Sequence, residues 1–131
     1  MTEKTLAQKM FLHKAQAVAI VNGDSGGAPL LAALGDVATV ADGAPADWLL
    51  LFAPDQLTLH SLLPAAAARL LPGGALWVAY RKGSSAHATD INRDTIRAHA
   101  PTLGLDTVAI VAADADWSCL RLKRVAGASR A

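Results

Sequence analysis

The chain is poor in the residues that staple or anchor a protein. It has one cysteine, Cys119, so no internal disulfide can form and no zinc-ligand spacing exists. No run approaches the roughly 18 apolar residues of a membrane-spanning helix, which predicts no contact with a membrane. Met1-Thr2-Glu3-Lys4 lacks the basic-then-apolar form of a signal peptide, so the expectation is a cytoplasmic protein. An excess of one charge is also missing. Twelve basic and 11 acidic residues leave a net charge of +1, which is no footprint for nucleic acid. His13, His60, His87 and His99 are scattered, without the His-x-His or His-Glu spacing of a metal site. Ser85 and His87 stand too isolated to argue a nucleophile and its base, and no catalytic residue is assigned. Aromatic side chains make up 5% of the chain, and Trp48, Trp77 and Trp117 read as core anchors.

What is present is a large apolar fraction, 53% of 131 residues, much of it alanine. That length fits one domain, taken as residues 1–124, with 125–131 a flexible tail. The apolar excess suits a closely packed core or a buried subunit interface, hence an expected homodimer.

The most informative stretch is Leu70-Leu71-Pro72-Gly73-Gly74 followed by Ala75–Tyr80. Proline cannot continue a helix. A helix should therefore end near Leu71, turn at the glycines and enter a strand. The apolar run Ala75–Tyr80 has no polar alternation, as expected of a strand buried on both faces of a parallel sheet. Asp47–Ala53 reads the same way. The segment between them, opened by Pro54-Asp55, carries Leu59, Leu62, Leu63, Ala66 and Leu70 at helical spacing, with a kink expected at Pro64. Together they make one β-α-β unit with a right-handed crossover.

Before this unit the pattern predicts a short helix over Thr5–Leu12, a strand over Ala15–Val21, a glycine-rich turn over Asn22–Gly27, a helix over Ala28–Leu34 and a weak strand over Val37–Val40. After it come a polar loop, Arg81–Ser85, and a helix over Thr89–Leu103 capped by Thr89 or Asp90. Last come strands over Leu105–Ala113 and Trp117–Arg124. The turn between these two is too short for a crossover, so they must form an antiparallel hairpin. Leu120 and Leu122 then share one face, Arg121 and Lys123 the other.

The expected fold is therefore three-layer, Rossmann-like α/β, with a mostly parallel sheet closed by an antiparallel hairpin. That order, with Leu70–Leu76 and the Asp-led strand Asp47–Leu51, resembles a shortened class I methyltransferase. A closer resemblance, carried by Thr89–Asp94 and Asp116–Arg121, is to a bacterial family of unknown function with a truncated domain of that kind. The superfamily resemblance implies a cofactor loop at Asn22, Gly23, Asp24, Ser25 and Gly26, and a ribose-binding acid at Asp42. The glycines do not hold the usual Gly-x-Gly-x-Gly spacing. Only about 25 residues separate Val21 from Asp47, where two further β-α units would take roughly 30 each. No cofactor is therefore expected, with S-adenosylmethionine as the alternative.

In open parallel sheets ligands bind outside the carboxyl ends of the strands. Asn22–Gly27 reads as a turn needing positive φ, or as a cradle of N–H groups for an anion. Arg81, Lys82, Ser84 and Ser85, with Asn92 and Arg93 following, read as a solvated loop and helix cap, or as a phosphate or carboxylate site. Arg93 opposes the helix dipole and is expected to pair with Asp114 or Asp116. The functional expectation is a non-catalytic domain acting through protein contacts. The alternative is a diverged S-adenosylmethionine-dependent methyltransferase or small-molecule binder.

Overall fold

A computed structural model describes residues 5–24, 26–35, 37–41, 43–85 and 89–124. Five strands form one sheet: β1 (Val18–Val21), β2 (Ala46–Phe52), β3 (Leu70–Arg81), β4 (Leu105–Ala112) and β5 (Trp117–Arg124). Their spatial order is β1-β2-β3-β5-β4. β1, β2 and β3 run parallel, with Ile20 opposite Leu50 and Leu50 opposite Trp77. β5 lies antiparallel between β3 and β4, pairing Tyr80 with Ser118 and Ile110 with Leu120. The expected hairpin closes the sheet, and its second strand inserts beside β3.

Alternation along the central strands builds two cores. Leu49, Leu51, Leu76, Val78, Leu120 and Leu122 face helix α3 (Gln56–Arg69), helix α4 (Arg93–His99) and the 3-10 turn Ala100–Leu103. Trp48, Leu50, Phe52, Trp77, Trp117 and Cys119 face the amino-terminal segment and α2 (Ala28–Leu34), through Met10, Leu12, Leu30 and Leu34. β2 and β3 are covered on both faces, so their apolar runs need no polar alternation. Each such leucine contributes about 1.5–3 kcal/mol on burial. The three tryptophans are core residues as expected.

Several elements differ from expectation for local reasons. The first helix, α1, spans only Leu6–Lys9. Phe11 then takes a left-handed conformation and a 3-10 turn follows over Leu12–Lys14. Val37–Val40 forms no strand. It contributes a single bridge, Thr39 to Val18, so β1 has little beyond it. α3 is one unbroken helix with Pro64 inside it. It ends at Arg69, and Leu70 already pairs with Ala46. Pro72-Gly73-Gly74 is therefore a bulge within β3, bringing Ala75 opposite Trp48, instead of a reversing turn. Gly74 must be glycine: a Cβ there would lie 2.9 Å from the Asp47 carbonyl oxygen.

The cap of α4 also moves. Asn92 caps it, its side chain accepting from Thr95 N at 2.9 Å while the Thr95 hydroxyl accepts from Asn92 N. Thr89 and Asp90 serve elsewhere. The Thr89 hydroxyl donates to the Pro54 carbonyl, and the Asp90 carboxylate accepts from Gln56 N at the start of α3. The tail 125–131 lies outside the described residues. No helix among those described is long and apolar enough to cross a membrane.

Candidate functional site

The carboxyl ends of β1, β2 and β3 meet on one edge, where the glycine loop and the Arg81 loop were expected to flank a cleft. Side chains join them instead. The Asn22 amide donates to the Phe52 carbonyl at 2.9 Å, tying the end of β1 to the end of β2. The Phe52 ring lies against Gly27, where an added Cβ would sit 2.6 Å from it. Phe52 also meets Trp117 edge to face, with ring centres 5.2 Å apart. Trp117 Nε1 donates to the Gly26 carbonyl at 3.3 Å. The Arg81 guanidinium stacks over the Trp117 ring at 4.0 Å and reaches within 2.5 Å of where a Gly26 Cβ would stand.

Arg81 is thus an aromatic-stacked strut, not a free anion ligand, because register sets it opposite Trp117. Gly23 packs near Ile20 and Leu31, and Asp24 is exposed. Ser25 and Asp42 lie outside the described residues. The described part of this loop does not fit a bound cofactor. The space that a Cβ would take at Gly26 and Gly27 is already filled by Arg81 and Phe52, and the Gly26 carbonyl and Asn22 amide are already bonded.

Beside this plug lies an open polar cleft of about 390 Å³. Tyr80 and Ser118, paired across β3 and β5, sit in it together with Lys82, Gly83 and Ser84 from the loop and Asn92, Arg93 and Asp94 from the start of α4. Ser118 is the buried polar residue of the sheet, and its side chain hydrogen-bonds the Tyr80 hydroxyl. Burial pushes the Tyr80 phenol above its ordinary value. The Ser118 hydrogen bond and the charges of Arg93 and Arg97 pull the other way. Tyr80 is therefore a protonated hydroxyl at neutral pH.

The β4–β5 turn fixes the cleft's loop. Lys82 N donates to the Asp116 carbonyl, and Ser85 Oγ donates to Asp116 Oδ1 at 2.7 Å. Asp114 Oδ1 accepts from the N–H groups of Asp116 and Trp117. With Asp114 and Asp116 so engaged, the expected ion pair to Arg93 does not form. Among the described residues neither Lys82 nor Arg93 has a carboxylate partner. Of the proposed ligand residues, the structure gathers Lys82, Ser84, Asn92 and Arg93, while Arg81 and Ser85 turn to Trp117 and Asp116.

Sequence reasoning missed Tyr80 and Ser118 as site residues. Their only signal is a strand register that no local pattern reveals. It also missed that His60 and His99 stack, with ring centres 4.1 Å apart. Burial and the neighbouring His60 lower the His99 pKa. His87 lies outside the described residues, and no cluster of three metal-ligating side chains occurs among those described. A larger cavity, about 540 Å³, flanks β1 beside Leu12, Ile20, Leu34 and Trp48. Among the described residues its lining holds no ionisable group, and the smaller polar cleft gathers the ionisable ones.

No family model matches the chain, and no curated protein matches it. Solved structures do. The mitomycin 7-O-methyltransferase MmcR superposes with a TM-score of 0.62 at 13% identity, over 86% of this chain and 50% of that one. An O-methyltransferase family protein from Burkholderia thailandensis gives 0.58 at 16% identity, over 93% and 57%. The O-methyltransferase NcsB1 from neocarzinostatin biosynthesis, in complex with S-adenosylmethionine and 2-hydroxy-5-methyl naphthoic acid, gives 0.54 at 16%, over 92% and 45%. This chain spans about half the length of these neighbours. It has a shortened class I methyltransferase fold, as the order of its strands implied. At these identities the likeness defines architecture, and function has to be argued from the site.

Proposed function

We propose that this chain is a small-molecule-binding domain on a class I methyltransferase scaffold, with its ligand in the Tyr80 cleft at the carboxyl end of β3. The observation that supports it is convergence. β3, its exit loop, α4 and β5 each deliver a polar side chain to one open cleft, on the edge where α/β sheets bind ligands. S-adenosylmethionine is the first ligand to test, because NcsB1, a neighbour in fold, binds it. The filled glycine loop weighs against seating it in the customary place, so no methyl-transfer step is derived. Calorimetric titration with S-adenosylmethionine and S-adenosylhomocysteine, beside a thermal-shift panel of small metabolites, tests the reading. Saturable binding, weakened in Arg93→Ala, is expected. Indifference of heat and melting temperature to every compound would sink it.

A second reading, protein contact as a homodimer, is favoured by the free edge of the sheet. β4 ends the sheet and exposes Val108 and Ile110 at 42% and 47%, the kind of apolar edge that pairs with another strand. Light scattering after size exclusion decides it. A monomer at micromolar concentration argues against.

A further inference from the structure

The cleft's electrostatics narrow the ligand's chemistry. We infer that the Tyr80 cleft binds an anionic small molecule, one bearing a phosphate or carboxylate, with Lys82 and Arg93 holding the charge above the Tyr80–Ser118 hydroxyl pair. The inference rests on the reading of this cleft as the ligand site.

Two cations reach the cleft from separate elements, Lys82 from the exit loop of β3 and Arg93 from the first turn of α4. Arg93 also opposes the dipole of its own helix. Arg97 adds to the same positive field at Tyr80. Asp94 supplies one negative charge to the lining, which leaves the cations in excess. The carboxylates that could have neutralised them, Asp114 and Asp116, are held in the hairpin turn by backbone N–H groups and Ser85. A bound anion would relieve this arrangement through charge-assisted hydrogen bonds. The floor suits the same guest. Tyr80 and Ser118 are neutral hydroxyls; with one proton shared between them the pair keeps one donor for a guest oxygen, and Ser84 at the rim adds a second. A cationic guest would face Lys82 and Arg93 directly. A wholly apolar guest would strip their water and return nothing. A volume of about 390 Å³ admits a molecule larger than the anionic group itself.

The test is an amide ¹H–¹⁵N titration of the full chain with inorganic phosphate, pyrophosphate and citrate, against adenosine and S-adenosylmethionine. Saturable shifts of Tyr80, Lys82, Arg93 and Ser118 with one of the anions are expected. Pyrophosphate and citrate separate phosphate from carboxylate preference. Lys82→Ala and Arg93→Ala should each weaken binding by about tenfold, the loss expected for one charge-assisted contact, and Lys123→Ala should leave it unchanged. Equal anion shifts in all three variants would reveal salt screening and overturn the inference. Shifts with adenosine or S-adenosylmethionine but none with the anions would overturn the anionic class and keep the cleft as a ligand site. If no probe moves these four residues, both readings fall.

Discussion

Gly27→Ala separates a glycine that serves packing from one that serves a cofactor. The new Cβ would stand 2.6 and 2.7 Å from two carbons of the Phe52 ring and 2.8 Å from the Gly23 carbonyl oxygen. Phe52 is fully buried, so its ring has nowhere to retreat. Overpacking of this kind costs about 1–3 kcal/mol. Alanine restricts the unfolded chain and returns about 0.4–1 kcal/mol of that. The net loss is then about 1–2 kcal/mol, which for a chain of this length lowers Tm by roughly 4–7 °C. Thermal melts of the wild type, Gly27→Ala, Phe52→Leu and the double variant measure it. Removing the ring relieves most of the clash, so the double variant should lose less than the sum of the singles, with coupling of about 1 kcal/mol. An unchanged melt in Gly27→Ala, or strict additivity, would refute the packing account of this loop.

Three further outcomes follow from buried or partly buried groups. Burial, aided by Asp114, pushes the Cys119 thiol up to about 12, so a thiol reagent should leave the native protein untouched and titrate it fully after denaturation. His99 has a lowered pKa in the fold, so below its ordinary 6.5 the unfolded chain takes up the proton first. Stability is therefore full above that value and declines as pH falls towards the folded pKa. His99→Gln should flatten this decline in melts taken either side of it. Trp48 Nε1 donates to the Met10 carbonyl at 2.8 Å, whereas buried Trp77 Nε1 finds no acceptor. In urea melts Trp48→Phe should cost more than Trp77→Phe by about 1 kcal/mol, since only the former strands a buried partner. The reverse order would refute this.

What could be read from the sequence is what depends on local pattern. The apolar runs now seen as β2 and the body of β3, the helix Ala28–Leu34 and the strand Trp117–Arg124 announce themselves through periodicity and breakers. The cap of α4 does not. Thr89, Asp90 and Asn92 are all good capping residues, and only tertiary partners choose among them: Pro54 takes Thr89 and Gln56 takes Asp90, leaving Asn92. Arg81 and Lys82 likewise look equivalent in the loop. Their fates divide because strand pairing sets Arg81 opposite Trp117. The Pro-Gly-Gly segment reads as a turn because its chemistry is that of a turn. Its role as a bulge depends on Leu70 having paired with Ala46 first.

Topology explains why the open cleft lies at β3 and not at the glycine loop. At the ends of β1 and β2 neighbouring parallel strands are bonded to each other, by the Asn22 side chain to Phe52 and by Ala53 N to the Ala79 carbonyl. The aromatic pair Phe52 and Trp117 fills the space above them. β3 has a different continuation. Its chain passes through α4 to β4, which lies beyond β5, so the connection must step over the start of β5. That step leaves a crevice whose floor is the first part of the antiparallel strand, Ser118 beside Tyr80. It also brings a loop cation, Lys82, across from a helix cation, Arg93. A charged cleft is therefore the consequence of placing an antiparallel strand inside the sheet.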